Sequence, residues 1–377
     1  MSIHQSLISP TANPELEKAL RTRVERRVAL SGGLGQLEPL AVRLGLIQNT
    51  LTPRFRDPAM VLFAGDHGLA VDGLALLWGR STRDYVQLAL QNRLPCAVFA
   101  RIQGLQLTVV DCGVAEALSA HPRLLARKIA HGTRNSRVGA AMSLEQAHAA
   151  VRVGMEIVDG LSGNVLACAG IGQGAAEAGA LVMSGLSGEP VRDFIISGPD
   201  MADDDLAHLL VVLQGAQARH RDTQDPMDTL AAFGGYEIAM MVGAMLVAAS
   251  KRKLIIVDGM AACAALKVAS MIAAPVTDYA VFCRSTMHAG LDMAMAQFHA
   301  TALVDLGMDC ADGAGAALAW PFIRAASALL TELHDTAEML PQPDFVPSGS
   351  AFMHTEPNAL STRSGMGMTG GEDLDET

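Results

Sequence analysis

The chain has few charged and few aromatic side chains for its length. Of 377 residues, 18% are charged and 4% are aromatic, whereas half are hydrophobic. This hydrophobic content excludes intrinsic disorder for most of the chain, because it supplies enough apolar surface for a sizeable core. Basic residues are in the minority, since 28 lysines and arginines face 39 acids and leave a net charge of −11. This excess of acidic residues argues against nucleic acid and against an anionic membrane as partners.

Paired cysteines and targeting segments are also missing. The six cysteines lie far apart and none belongs to a CxxC pair; they are at positions 96, 112, 168, 263, 283 and 310. This spacing predicts buried, reduced thiols in a cytoplasmic protein rather than a disulfide framework or a zinc site. The N-terminus shows no basic region followed by an apolar stretch, so we predict no signal peptide. Charged residues interrupt the most apolar windows, 229–250 and 254–276, which we interpret as buried elements rather than membrane spans.

Short apolar runs alternate with helix-like stretches through most of the chain. Continuous apolarity suits strands that are covered on both faces, and the alternation favours a parallel, doubly wound α/β sheet. The predicted strands are 60–64, 107–110, 164–168, 193–196, 254–257 and 279–282. Helices are predicted at 13–29 and 36–49, with one or two closing helices at 314–340. The tail from about 354, rich in serine, threonine and glycine, is predicted to be disordered.

Glycines and polar side chains follow two of the predicted strands. Residues 65–68 read GDHG, and residues 170–174 read GIGQG before an alanine-rich helix. Glycines at a helix N-terminus let backbone amides approach a phosphate, although they equally permit a tight strand–helix turn. Residues 65–68 suit close approach to a ligand, or else Asp66 caps the next segment and His67 is a loop histidine. Neither a P-loop nor a dinucleotide-binding fingerprint is present.

Two carboxylates stand among small or apolar neighbours. Asp312 precedes a predicted helix in the stretch ADGAGAA, where small residues leave room for a substrate beside a general base. The same position suits an ordinary helix cap. Glu237 begins a long apolar helix, and because an unpaired buried carboxylate is costly, it is either partnered or part of a site.

Seven ordered blocks between about residues 30 and 340 carry a family resemblance. They are 32–38 (GGLGQLE), 63–70 (FAGDHGLA), 132–135 (GTRN) with 141–142 (AM), 170–172 (GIG), 225–226 (DP) with 234–239 (GGYEIA), 257–259 (VDG), and 305–308 (DLGM) with 313–319 (GAGAALA). In this order the blocks resemble the nicotinate-nucleotide–dimethylbenzimidazole phosphoribosyltransferases, often called CobT. Each block alone is weak evidence, and the shared order makes the resemblance specific.

The resemblance implies a Rossmann-like α/β domain at 51–310 and a smaller helical part built from residues 1–50 and 311–345, with 346–377 as a disordered tail. It implies a homodimer that needs neither a metal nor an organic cofactor. The implied reaction moves the 5-phosphoribosyl group of nicotinate mononucleotide to a benzimidazole-type base and releases nicotinate. Because the leaving pyridinium is already positively charged, the protein mainly has to hold the phosphate, place the base and remove its proton.

The resemblance also implies the site residues. It assigns the role of general base to Asp312, where the family has a glutamate. The implied substrate-binding residues are Asp66, His67, Asp72, Trp78, Gly170, Gly172, Gln173, Gly174, Glu237, Asp258, Ser285, Gly313 and Gly315.

This chain departs from the family pattern around the phosphate and the acceptor base. The family's GEMGIGNTT becomes ACAGIGQGA at 167–175, its RGTG becomes a segment containing Asp200, and its lysine aligns with His208 or Leu209. Arg284 and Arg80 are the basic candidates for the donor phosphate, and Trp78 and Trp320 are aromatic candidates near the acceptor. The changes leave an alternative: a non-catalytic or altered-substrate paralogue that binds a nucleotide or a cobamide precursor.

Overall fold

A six-stranded parallel sheet forms the centre of the protein in a computed structural model that describes residues 8–29, 31–74, 79–195, 201–223 and 225–335. The strands are β1 (Ala59–Gly65), β2 (Gln106–Gly113), β3 (Leu124–Ala126), β4 (Val165–Ile171), β5 (Leu254–Asp258) and β6 (Ala280–Cys283). Their order across the sheet is β3-β2-β1-β4-β5-β6, and every neighbouring pair is parallel. The doubly wound α/β fold predicted from the apolar runs is therefore confirmed.

Helices cover both faces of this sheet. Those of the described residues are α1 (Pro14–Val28), α2 (Leu37–Gln48), α3 (Thr82–Leu90), α4 (Pro95–Gln103), α5 (Leu144–Asp159), α6 (Ala175–Ser187), α7 (Asp203–Arg219), α8 (Pro226–Phe233), α9 (Tyr236–Ser250), α10 (Met260–Ile272), α11 (Ala289–Ala296) and α12 (Ala314–Thr331). Every residue of β1, β4 and β5 is buried. The burial on both faces explains why these strands are continuously apolar rather than alternating.

One predicted strand is wrong and one strand was not predicted. Residues 193–196 were predicted as a strand, but Val191–Phe194 forms a 3-10 helix, and residue 196 lies outside the described residues. Phe194 is buried outside the sheet, and a four-residue apolar run cannot distinguish a strand from another buried segment. Strand β3 has only three residues, all at least partly exposed, so it carries no apolar signal.

Glycines allow α5 and α9 to pack closely on one face of the sheet. A Cβ atom on Gly154 of α5 would overlap the Met240 carbonyl of α9, and one on Gly243 would overlap the Val151 carbonyl. Gly154→Ala is therefore expected to lower the free energy of unfolding by about 1–3 kcal/mol, measured by urea denaturation. The control is Gly139→Ala, where a Cβ meets open space, with an expected change within ~0.5 kcal/mol. Equal effects at both positions would contradict the packing argument.

Helix α12 joins the two ends of the described chain to the sheet. Among the described residues it alone is long and apolar enough to cross a membrane by length and composition. Most of its residues are buried, and it packs against α1, α2 and α4, which is typical of a core helix. Its N-terminus begins beside the carboxyl ends of β5 and β6, because Asp258 and Ser285 bind its first amides.

Candidate active site

The predicted site residues gather at the carboxyl edge of the sheet. In the observed strand order successive strands are added outward in opposite directions from β1 and from β4, and the carboxyl ends of these two parallel strands form the crevice where doubly wound sheets bind ligands. One group of side chains lies beyond the carboxyl ends of β1 and β4. We call it the switch-point cluster, and its members are Asp66, His67, Gln173, Glu177 and Glu237. A second group lies beyond the carboxyl ends of β5 and β6. We call it the α12 cap cluster, and its members are Asp258, Ser285, Asp312, Gly313 and Gly315.

Asp66 links three segments of the switch-point cluster through its carboxylate. Its Oδ1 atom accepts hydrogen bonds from the Thr82 hydroxyl and, at 3.3 Å, from the Gln173 amide, while Oδ2 accepts from the Ala115 amide at 2.7 Å. The Asp66 amide donates to the Gly113 carbonyl. These bonds hold the ends of β1, β2 and β4 together, so a structural role accounts for Asp66, and its contact with substrate stays a prediction.

His67 and Glu237 form a buried ion pair at the base of the same cluster. The His67 Nε2 and Glu237 Oε1 atoms lie 2.7 Å apart, and both side chains are almost fully buried. Burial lowers the pKa of His67, but the charge and hydrogen bond of Glu237, together with the charges of Asp66 and Glu177, outweigh it, so that the pKa is raised overall. The Glu237 Oε2 atom has no hydrogen-bond partner among the described residues. A purely structural role for Glu237 therefore explains the oxygen that is bound to His67, but not the second oxygen.

Removing this pair should make stability less dependent on pH. Because the folded pKa of His67 is raised, its protonation stabilises the fold fully below about pH 6.5 and loses that effect as pH rises through the folded value. Glu237→Gln is expected to cost roughly 3–5 kcal/mol at pH 6 and less at pH 9, measured by urea denaturation at both values. Glu189→Gln, at an exposed position, is the control. A cost for Glu237→Gln that is the same at both pH values would refute the ion-pair assignment.

The glycines at 170–174 are explained in part by protein packing. A Cβ atom on Gly170 would press on Ala261, and one on Gly172 would overlap the Gly65 carbonyl of β1. Gly174 has φ +81° and is the N-cap of α6, where a positive φ favours glycine. The tight-turn interpretation therefore accounts for Gly170, Gly172 and Gly174 without a ligand. Their binding to a phosphate stays a prediction.

The α12 cap cluster is organised by the buried carboxylate of Asp258. Its Oδ2 atom accepts hydrogen bonds from the Ser285 hydroxyl at 2.7 Å and from the amides of Gly313 and Ala316 at 2.8 and 2.9 Å. Ser285 Oγ in turn accepts from the Gly315 amide at 2.8 Å. Side chains from β5 and β6 thus satisfy the first amides of α12, which a helix leaves free. Burial raises the pKa of Asp258, although these hydrogen bonds oppose the shift.

Asp312 is a free carboxyl group beside this network. The N-cap of α12 is Gly313, with φ +100° and no side-chain cap, so the alternative that Asp312 is an ordinary helix cap is wrong. Its carboxyl group lies over the α-carbon of Gly259, where a Cβ atom would overlap it. It has no hydrogen-bond partner among the described residues. Burial and the charge of Asp258 raise the pKa of Asp312 well above its ordinary value.

Asp72 lies on the rim of the site rather than in either cluster. Its Oδ2 atom accepts a hydrogen bond from Asn135 at 2.8 Å and lies 3.2 Å from Nη1 of Arg137. Its carbonyl oxygen is 2.7 Å from Nε2 of His208, which comes from α7. His208, one of the two positions that align with the family's lysine, therefore faces this rim. Arg137 is a second basic side chain at the rim, and it is not among the site residues predicted from the sequence.

The side chains of two candidates from the sequence are engaged by other protein groups. Arg284 is buried and engaged within the protein, since its Nη1 atom lies 2.9 Å from Asp292 and 3.1 Å from Asp305. Trp320 is also buried, and its ring packs edge-on against Phe55, which precedes β1 at the opposite edge of the sheet. The expectation that Trp320 lies near the acceptor is therefore wrong. A tryptophan two helical turns beyond the α12 N-terminus is carried away from that end by about 10 Å.

Some candidates lie outside the described residues, and one acid was missed. Trp78 and Asp200 belong to segments 75–78 and 196–200, which the structure does not describe. Arg80 is exposed. Glu177, in the first turn of α6, faces His67, and burial raises its pKa. The sequence did carry a signal for Glu177, because it is an acidic residue in the first helical turn after a glycine-rich strand end.

Metal ligands are not clustered in the described part of the chain. No group of three or more histidine, cysteine, aspartate or glutamate side chains there is arranged to hold a metal ion. All six cysteines are free; five are buried and Cys310 is partly exposed, as the cysteine spacing predicts. The chemistry available at the site is that of carboxyl groups, a buried histidine and helix amides.

Comparisons with known proteins agree with the resemblance found in the sequence. The chain matches the family described as Phosphoribosyltransferase over residues 9–339. It is 41% identical to the nicotinate-nucleotide–dimethylbenzimidazole phosphoribosyltransferase of Cupriavidus taiwanensis, covering 86% of this chain and 94% of that protein. The Parabacteroides distasonis protein of the same name is 32% identical, with 85% and 93% covered. The crystal structure of the Thermus thermophilus protein matches with a TM-score of 0.80 at 27% identity, covering 87% of this chain and 98% of that one. The chain therefore belongs to the nicotinate-nucleotide–dimethylbenzimidazole phosphoribosyltransferase family.

Proposed function

We propose that this chain catalyses the reaction for which its relatives are named. It moves the 5-phosphoribosyl group of nicotinate mononucleotide to a nitrogen of a benzimidazole-type base, in the synthesis of the lower ligand of cobalamin. The bond between C1′ and the pyridinium nitrogen breaks, and nicotinate leaves with the electron pair. The unprotonated ring nitrogen of the base bonds to C1′ with its lone pair, and the proton on the other ring nitrogen goes to the enzyme.

The observation that carries the proposal is the free carboxyl group of Asp312. It lies over Gly259 at the carboxyl edge of the sheet, it neither caps α12 nor pairs with a described cation, and its neighbours along the chain are small. A general base needs an acceptor oxygen that no protein group occupies, and the partly exposed carboxyl group of Asp312 meets this need. Burial and the charge of Asp258 raise its pKa, which makes the carboxylate a stronger base towards a weakly acidic N–H group.

The remaining substrate contacts follow from the two clusters. We place the ribosyl phosphate at the crevice between β1 and β4, beside the positive end of the α6 dipole and near Arg137, which pairs with Asp72 at the rim. The acceptor base lies against Asp312 at the α12 cap cluster. In this arrangement Arg137 is the candidate to take over part of the role of the lost family lysine, and this role weakens the main argument for a non-catalytic paralogue.

A homodimer in the cytoplasm is part of this proposal. Exposed apolar side chains support it, because Met287 and Leu306 lie next to the α12 cap cluster and are 47% and 58% exposed. The sulfur of Met287 approaches Gly307, so the two side chains belong to one surface. Such a surface beside a site suits coverage by a second copy. Light scattering on the purified protein is expected to give twice the chain mass of 39.5 kDa.

One incubation tests the function. The protein is mixed with nicotinate mononucleotide and a panel of benzimidazoles, purines and phenols, and mass spectrometry follows free nicotinate and new riboside phosphates. We expect equal amounts of nicotinate and an α-riboside phosphate with a benzimidazole, and neither product with Asp312→Ala. A folded protein that forms no product across the panel refutes the transferase, and titration with the mononucleotide then tests the binding paralogue.

A further inference from the structure

Asp258 holds the stretch of backbone that carries Asp312. The Gly313 amide, which follows Asp312 directly, donates to Asp258 Oδ2 at 2.8 Å, and the Ala316 amide donates to the same oxygen at 2.9 Å. The Ser285 hydroxyl is the third donor, at 2.7 Å. Because these partners come from α12 and from the end of β6, a single oxygen fixes the start of α12 on the sheet. Movement of Asp258 would therefore move the peptide next to Asp312.

The two carboxyl groups flank the same glycine. Asp258 ends β5 and Gly259 follows it, while the Asp312 carboxyl occupies the space where a Gly259 side chain would be. The second oxygen of Asp258, Oδ1, is buried and has no hydrogen-bond partner among the described residues. An unpartnered, buried carboxylate oxygen is costly unless a proton or a donor reaches it. The Asp258 carboxylate thus has one oxygen bound to α12 and one that no described group satisfies.

The other titratable groups near the pair do not carry charge at neutral pH. The side chains that face either carboxyl group are thiols: Cys263 from α10, Cys310 from the segment before α12, Cys96 from α4 and Cys283 from β6. Burial raises the pKa of Cys310 to about 11 and that of Cys96 to about 12, and raises the pKa of the other two well above its ordinary value. Asp309 faces Cys310 and lies 3.2 Å from His288. Among the described residues, Asp258 is thus the one charge that faces Asp312.

We propose that Asp258 is the positioning residue for the base Asp312: one oxygen anchors the peptide beside Asp312, and the carboxylate sets a negative charge beside its carboxyl group. The inference rests on the proposed function and deepens it. The two groups titrate as a coupled pair, and loss of a proton from Asp312 to solvent leaves it ready to accept the N–H proton of the incoming base. After transfer, Asp312 is again protonated beside the Asp258 carboxylate.

The coupling between the two carboxyl groups can be tested without activity. Infrared difference spectra between pH 4 and 9 follow protonated carboxyl groups in the wild-type protein and in the variants Asp258→Asn and Asp312→Asn. We expect a carboxyl titration that Asp312→Asn abolishes and that Asp258→Asn moves to lower pH by about 1–3 units, since it removes a nearby like charge. The control is Asp111→Asn, at the end of β2, where the carboxylate pairs with Lys128; it should leave the titration in place. A titration that stays at the same pH in folded Asp258→Asn overturns the proposal.

The pH profile of kcat/KM gives the second readout. Its acid limb is expected to move to lower pH in Asp258→Asn by the same amount as the infrared titration. A merely structural role would lower the rate at every pH and leave the limb in place, which would also overturn the proposal. Should Asp258→Asn fail to fold, Asp258→Ser removes the same charge and keeps an oxygen for the helix amides. Absence of turnover in the wild type refutes the proposed function alone, because the infrared titration still tests the coupling between the two carboxyl groups.

Discussion

Asp312→Asn is expected to lower kcat by about 10²- to 10⁴-fold, the usual contribution of a general base. The amide has nearly the same shape and fits over Gly259, but it cannot accept the proton of the incoming base. KM for nicotinate mononucleotide should change little, because Asp312 acts on the acceptor. Steady-state rates of nicotinate release with a saturating benzimidazole measure the effect. In the wild type, activity should fall as pH falls through the raised pKa of Asp312, since the protonated carboxyl is no base.

Asp309→Asn is the matched control for this variant. It changes the same residue type three positions earlier, in an exposed carboxylate that lies 3.2 Å from His288. We expect its kcat to stay within about twofold of the wild-type value, as for a surface ion pair. If Asp312→Asn retains full turnover, another group removes the proton and the assignment of the base is wrong. If both variants lose activity equally, the effect comes from the segment before α12 rather than from the base.

Gly259→Ala is expected to remove activity as completely as Asp312→Asn does. Gly259 has φ +92°, where a side chain is strained, and an added Cβ would overlap the Asp312 carboxyl. The carboxyl must therefore turn away, and a displacement of about 1 Å can cost 10²-fold in rate. We also expect a loss of about 1–3 kcal/mol in the free energy of unfolding. Nicotinate release and urea denaturation measure the two effects.

Gly188→Ala separates backbone strain from displacement of the base. Gly188 has φ +79°, but a Cβ there meets nothing within 4 Å, and it ends α6 on the opposite side from the glycine-rich loop. The variant should lose about 1 kcal/mol of stability and keep its kcat. Normal turnover in Gly259→Ala would show that the carboxyl does not need its place over Gly259. The base would then act from another position.

Much of the fold follows from local sequence. Runs such as Met60–Ala64 and Leu254–Val257 are apolar without interruption, because strands of a parallel sheet are covered on both faces, and they lie in β1 and β5 as predicted. The helix signals at Asn13 and Pro14 also correspond to a real N-cap and first turn. Elements without such a signal were not found: β3 is too short, and Phe194 and Ile195 from the predicted strand at 193–196 are buried outside the sheet.

For the candidate site, sequence and tertiary structure contribute in different proportions than for the fold. The sequence by itself determined the family, the doubly wound sheet, the strand ends at which Asp66, His67 and Asp258 lie, and the helix that follows Asp312, since order of motifs and hydrophobic pattern are properties of the chain. Only the tertiary structure decided that Asp258 anchors α12, that Asp312 does not cap it, that Glu237 pairs with His67 and that Trp320 lies at the far edge of the sheet. The contacts among these residues join positions 55 to 265 apart. Direction and distance between such side chains depend on how strands and helices pack, which no local pattern encodes.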